Sequence, residues 1–488
     1  MKKISSFDFT SVCKCFVLLA IMNSCTREIY PPQALFPVPT ERQMVWHEQE
    51  QYAFIHFTTN TFTGKEWGYG DENPAIFTPM AFDAEQWVKV IRDAGLKMVI
   101  LTCKHHDGFC LWPSLYTEHS VKNSPFMDGK GDVVKAVSDA CRKYGLKFGI
   151  YLSPWDRNFA QYGTSEYITY YRLQLRELLT NYGEISEVWF DGANGGDGYY
   201  GGSREVRRID NKTYYDWPNT WSIVRELAPM AVMFSDAGPD IRWCGNERGF
   251  VGDPNWCTIN VDTLYAGKGG INELLNHGEE NGKSWMPAEV DVSIRPGWFY
   301  HAEQDDKVRT PENLLKLYLE SVGRGSNLLL NIPPDRRGLL HENDVKSLME
   351  WKKLLDQIFA VNLAAKAKAV ANTYRGKSKT YAADNVTDGN KETYWATDDD
   401  ITCGSIEIDL GKEQMVHYVV IQEYIKLGQR VKDFNIEVLK DNVWIPAAKG
   451  TTIGYKRILN IDSMETAKIR INIDVAKACP VISNVEIY

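Results

Sequence analysis

The sequence predicts a two-part architecture: an α/β (β/α)8, TIM-like barrel followed by an all-β sandwich. Three observations carry this. Between about residues 45 and 360, short apolar strands alternate with amphipathic helices, the pattern of parallel strands with right-handed crossovers. No glycine-rich phosphate loop follows the first strand, which disfavours the doubly wound open sheet that the same alternation allows. After about residue 365 helical spacing stops, and polar and apolar residues alternate at period two.

The elements follow in order. "YAFIHF" (52–57) reads as the first strand, and "FDAEQWVKVIRDAGL" (82–96) as a helix closed by Gly95. "KMVILTCK" (97–104) is a second strand, "DVVKAVSDACRKYG" (132–145) a helix, and "LKFGIYLSP" (146–154) a third strand. The long helix "EYITYYRLQLRELLTNYG" (166–183) leads into a fourth strand, "ISEVWFDG". "AVMFSD" (231–236), "SWMPAEVDV" (284–292) and "NLLLNIPP" (327–334) read as later strands, with helices at 310–323 and 342–360. About 300 residues of this alternation suit a (β/α)8 barrel, with room for an irregular or missing helix. "SIEIDL", "HYVVIQEY", "FNIEVL", "AKIRINID" and "VISNVEIY" build the sandwich.

The start of the chain resembles a bacterial export segment. Lys2 and Lys3 precede the short apolar "CFVLLAIM", and "MNSC" ends at Cys25 in the manner of a lipobox. Cleavage before Cys25 with lipidation of its thiol is expected, with ordinary secretory cleavage as the alternative. A periplasmic or outer-membrane lipoprotein of a Gram-negative bacterium follows. The expected boundaries are 1–25 for this segment, 26–362 for the barrel and 363–488 for the sandwich. The net charge of −9 argues against a nucleic-acid partner. Seven cysteines remain after Cys25, without a CxxC pair that would suggest structural zinc. A Cys403–Cys479 disulfide is left open.

Functional groups of a parallel barrel collect at the carboxyl ends of its strands. Those ends carry His56, Glu66 and Trp67; His105 and His106; Tyr151, Trp155 and Asp156; Asp191; Asp236, then Trp243 and Glu247 in the loop "RWCGNERG"; Glu289 and Asp291; and Arg295, Trp298 and His301. A lone strand-end aspartate is usually a turn former. Adjacent histidines raise the question of a metal, but on a strand neighbours point to opposite faces, so both ligate one ion only if the strand has ended. No HExxH or GxSxG pattern occurs. What remains is a cup of carboxylates, histidines and tryptophans. Two carboxyls in different environments suit glycosidic cleavage, and imidazoles and indole faces suit sugar binding.

"HFTTNTFTGKEWGYG", "LTCKHHDGFCLWPS", "GIYLSPWDRN", "VWFDGANG" and "GNERG" resemble glycoside hydrolase family 29, the α-L-fucosidases, over roughly residues 40–360, and most closely its α-1,3/1,4-acting branch. The resemblance implies a retaining exo-α-L-fucosidase acting on Lewis-type branched glycans through a covalent fucosyl-enzyme. A broad-specificity fucosidase and a non-catalytic fucoside-binding envelope protein are the alternatives. It implies Asp191 as nucleophile and Glu247 as acid/base, with Glu289 as second candidate. His56, Glu66, Trp67, His105, His106 and Tyr151 would line the fucose pocket, with Trp243, Arg295 and Trp298 beside them. No cofactor is implied in the barrel. The glycine- and tyrosine-rich run 195–217 is expected at the pocket rim. The tail, opening with "DNVTDGNKETYWAT", resembles the galactose-binding-like (discoidin or factor 5/8 C) sandwich, whose Asp/Gly loop would make Asp384, Asp388 and Asn390 candidates for a structural calcium.

Overall fold

The computed structural model describes residues 29–488; the export segment with Cys25 lies outside the described residues. Eight parallel strands close into a barrel, each paired with its sequence neighbours, and the last pairs with the first. They are β1 (Gln51–Ile55), β2 (Met98–Lys104), β3 (Lys147–Leu152), β4 (Glu187–Trp189), β5 (Val232–Ser235), β6 (Ile241–Trp243), β7 (Ala288–Ser293) and β8 (Asn327–Asn331). Two differences from the sequence reading stand out. The sixth strand lies inside the segment read as a loop, because Asp236–Asp240 joins β5 to β6 with no helix between them. The segment 284–292 is also two elements. Ser284–Trp285 pairs in a separate hairpin with Thr258–Ile259, and the barrel strand begins only at Ala288.

The helices are α1 (Glu41–His47), α2 (Thr59–Thr63), α3 (Ala84–Asp93), α4 (Val133–Tyr144), α5 (Ser165–Asn181), α6 (Trp217–Leu227), α7 (Asn272–His277), α8 (Pro311–Glu320) and α9 (Glu342–Ile358). Asp83 and Asp132 cap α3 and α4 by accepting the N–H groups of Gln86 and Lys135. Their buried faces pack on outward strand residues such as Val99, Leu101, Ile150 and Val188. Inward residues alternate with these: Tyr52, Phe54, Met98, Ile100, Tyr151, Trp189, Phe234 and Leu329 fill the barrel interior. Trp46 of α1 plugs the base, and its indole donates to the Tyr52 hydroxyl at 2.8 Å.

The C-terminal domain is an antiparallel sandwich. Its strands are β9 (Lys368–Ala371), β10 (Trp395–Ala396), β11 (Gly404–Glu423), β12 (Val431–Lys440), β13 (Val443–Gly450), β14 (Arg457–Ala476) and β15 (Val481–Ile487). They run in the order β10-β15-β11-β14-β12-β13, with β9 on β11. β11 and β14 are long, and register shifts between Asp409 and Tyr418 interrupt their pairing. Trp395 is sealed in the core, whereas Trp444 lies under the Arg470 guanidinium at 3.8 Å. Asp384 accepts the Ala369 N–H of β9, whereas Asp388 accepts the Asn390 N–H and the Thr393 hydroxyl, and Asn390 the Glu392 N–H, within their own turn. Cys403 and Cys479 are unbonded thiols, the first exposed and the second buried against Arg430.

Candidate active site

β4 explains how an acid comes to end an apolar strand. Val188 and Phe190 point outward into the helix layer, so Glu187, Trp189 and Asp191 share the inward face. Pairing continues past the formal strand end, for the Phe190 N–H donates to the Phe234 carbonyl at 3.0 Å. Asp191 is therefore carried to the carboxyl end of the barrel, still facing in. There it lines a cavity of about 240 Å³. Phe54, Trp189 and Phe234 also line this cavity, together with His56, Trp67, His105, His106, Tyr151, Trp243, Trp298 and the carboxyls Asp236, Glu247 and Asp291.

Two donors hold Asp191, and His106 stands near. The Tyr151 hydroxyl donates to one oxygen at 2.9 Å, the Ala193 N–H to the other at 2.7 Å, and His106 Nε2 stands 3.8 Å from the first. His105 and His106 both reach the cavity because β2 ends at Lys104, and their ring centroids are 4.1 Å apart. His106 Nδ1 bonds the Ser153 hydroxyl at 2.7 Å, and His56 Nδ1 bonds the Asn331 side-chain oxygen at 2.8 Å. Burial drives His56 down to about 3 and His106 to about 4, and lowers His105 further below the usual imidazole range. All three are neutral at neutral pH.

The carboxyls are tuned in the opposite direction. Burial raises Glu247 above the ordinary glutamate value, and the charges of Asp191 and Glu66 add to this; the Trp298 indole donates to it at 3.2 Å. Burial pushes Asp236 up to about 6, and its carboxylate accepts the Gly267 N–H at 2.8 Å. Asp236 packs so closely on Gly192 that a Cβ there would lie 2.0 Å from its oxygen. Asp291 is raised well above the usual range by burial and then by Glu247, and it accepts the Trp243 indole N–H at 2.8 Å.

Some expected positions fall elsewhere. Arg295 does not reach the cavity. Its buried guanidinium bonds Asp344 and Asp305, because a cation sealed outside water must be paired. Glu289, the alternative acid, lies beneath the cavity floor, where it accepts the Tyr52 hydroxyl and the Trp189 indole. Glu66 stands behind the wall, accepting the Trp298 N–H at 2.7 Å and bonding His301 at 2.5 Å. The run 195–217 is not part of the lining, which stops at Ala193; the run backs Trp155, the ring against which Trp67 packs edge-on at the rim. Asp236 and Asp291 are lining residues that the strand ends named without assigning a role. The inward parity of Phe234 and Glu289 was the available signal for them.

Comparison with known proteins gives consistent matches. Residues 33–357 match the family described as alpha-L-fucosidase, and residues 385–471 match the NedA-like, galactose-binding domain. Alpha-L-fucosidase 1 of Arabidopsis thaliana is 40% identical over 477 residues, covering 96% of this chain and 91% of that protein. A glycoside hydrolase 29 family member from an unknown rumen bacterium is 43% identical with a TM-score of 0.83, covering 94% of this chain and 78% of that one. A Ruminococcus gnavus GH29 fucosidase in complex with fucose is 34% identical with a TM-score of 0.85, covering 95% and 97%.

Proposed function

This chain belongs to the glycoside hydrolase family 29 α-L-fucosidases, with a C-terminal galactose-binding-type domain, and from that premise we propose that it releases terminal α-1,3/1,4-linked L-fucose from branched, Lewis-type oligosaccharides with retention of configuration. The observation that carries the reading is the pairing within one cavity of two unlike carboxyls. Asp191 is held by donors, while burial and like charge raise the pKa of Glu247.

In this reading Asp191 attacks the anomeric carbon, and Glu247 gives its proton to the departing oxygen. A fucosyl ester of Asp191 forms and the aglycone leaves. Glu247, now a carboxylate, takes a proton from water, which opens the ester and frees Asp191. Tyr151 orients the nucleophile. His56 and His106 each spend Nδ1 on a fixed partner, leaving Nε2 to accept sugar hydroxyls. Phe54, Trp189, Phe234 and Trp298 give the ring an apolar bed.

The linkage is tested by comparing kcat/KM on a Lewis trisaccharide, 2′-fucosyllactose and an aryl fucoside. Preference for the branched sugar is expected; equal rates would favour a broad-specificity enzyme. Trapping of a 2-fluoro fucoside on Asp191 tests the covalent intermediate.

A further inference from the structure

We propose that the C-terminal sandwich is a positioning element for proton transfer: Gln429 and Thr452 clamp the segment following Glu247 and so set the reach of its carboxyl. This inference rests on the reading of Glu247 as proton donor.

The β6–β7 connection is the barrel's least regular. It runs from Cys244 to Pro287, with only α7 and the short two-stranded sheet of Thr258–Ile259 and Ser284–Trp285 inside it, and Glu247 lies near its start. A long connection of this kind holds its shape only if something outside it supplies the partners. The sandwich supplies many of them. Gln429 acts as an inserted strand edge, its Nε2 donating to the Asn255 carbonyl at 2.9 Å while its Oε1 accepts the Cys257 N–H at 2.7 Å. The Thr452 hydroxyl accepts the Asn255 N–H at 2.9 Å. Arg457 pairs with Asp253 at 2.6 Å, and Lys432 with Glu280 at 2.8 Å. Gln429 and Thr452 are buried, so these bonds work without competition from water.

The clamped stretch is wired back to the acid. Arg242 of β6 donates to the Asn255 side chain at 3.2 Å and to the Trp256 carbonyl at 3.0 Å. Asn276 donates to the Cys244 carbonyl at 2.7 Å and accepts the Gly252 N–H at 3.1 Å through its own carbonyl, closing the loop at both ends. Within that closure, the Asn246 side chain donates to the Phe250 carbonyl and accepts the Arg248 N–H, fixing the turn that presents Glu247. Asp191 has no such dependence, for its contacts all come from the barrel. The sandwich should therefore act on proton donation and not on nucleophilic attack.

The test uses two substrates of the full-length enzyme. A 2,4-dinitrophenyl α-fucoside leaves without a proton, whereas a fucosyl oligosaccharide needs one, and kcat/KM reports the first chemical step in both cases. Gln429→Ala and the milder Thr452→Val should each lower kcat/KM on the oligosaccharide about tenfold but change the dinitrophenyl fucoside by less than about twofold. Lys456→Met breaks the barrel–sandwich pair with Glu50, which is not among the Gln429 and Thr452 contacts. It should lower thermal stability while leaving the ratio of the two substrates unchanged. Equal losses on both substrates in Gln429→Ala and Thr452→Val, no loss on either, or a changed ratio in Lys456→Met would overturn the clamp. Glu247→Gln is run alongside. If it loses both substrates equally, the proton-donor reading itself has failed; if it shows the split and the clamp variants do not, only this inference falls.

Discussion

Carboxyls at the two ends of the barrel behave in opposite ways. At the mouth, Asp191 and Glu247 line an open cavity; at the base, Glu187 and Glu289 are completely buried. Glu187 and Asp191 lie on one strand, face the same way and are separated by a single inward residue, Trp189. Their chemistry diverges through depth alone. Asp191 meets donors and solvent, whereas neither oxygen of Glu187 has a donor. Burial, and then the neighbouring Glu289, raise Glu187 well above the carboxylate range, beside a partner that accepts from Tyr52 and Trp189. A carboxyl in a barrel interior is reactive when it reaches the open layer; in the sealed layer it fixes the floor on which the sugar would rest.

The mouth pair is where this contrast breaks most visibly. Asp191→Gly should reduce turnover about 10⁴-fold or more, with azide restoring cleavage of an activated aryl fucoside; wild-type turnover would remove Asp191 from the mechanism. Glu247→Gln should cost about 10²–10⁴-fold in kcat/KM on oligosaccharides. Glu247 acts in its protonated form, so wild-type activity should fall as pH rises through its raised pKa. A pH profile of the variant on an activated substrate should lack that alkaline limb.

The base pair sharpens the contrast through stability. Glu289→Ala strands the Tyr52 hydroxyl and the Trp189 indole, and denaturant unfolding should show a loss of about 3–5 kcal/mol. Glu187→Gln breaks no hydrogen bond, because neither oxygen of Glu187 has a partner, so its cost should stay within about 1–2 kcal/mol, with catalysis preserved. A larger loss would mean that Glu187 is the ionised member.

The smallest effect is a pH dependence. His47, buried at the base against the Tyr455 ring, is driven by burial down to about 3. Its folded-state pKa lies below the unfolded value, so its contribution is intact above about pH 6.5 and is lost as pH falls toward 3. His47→Phe should flatten the fall in unfolding free energy, read by denaturant titration across pH, by about 1 kcal/mol per pH unit below 6.5. His56 and His106 at the mouth keep part of the slope.

Local pattern was enough where neighbours in sequence are also neighbours in space. β2, β3 and β8 lie where apolar runs placed them, and parity along "EVWFDG" was enough to aim Asp191 inward. It failed for β6, whose three residues are too short to show a period and have no helix before them. It failed also for Arg295, because its partners, Asp344 on α9 and Asp305, lie beyond its own strand. The depth of Glu289 is hidden for the same reason, since a strand shows which face a residue takes but not which layer of the barrel it occupies.

By itself, the sequence determined the two-part architecture, the family and the strand-end acid, since periodicity and short motifs are properties of contiguous residues. Only the tertiary structure decided which of several inward acids meets the cavity and which is sealed, and what holds the Glu247 loop. Those outcomes depend on depth in the barrel and on partners up to about two hundred residues away, such as Gln429 on Asn255, and no local pattern encodes such distances.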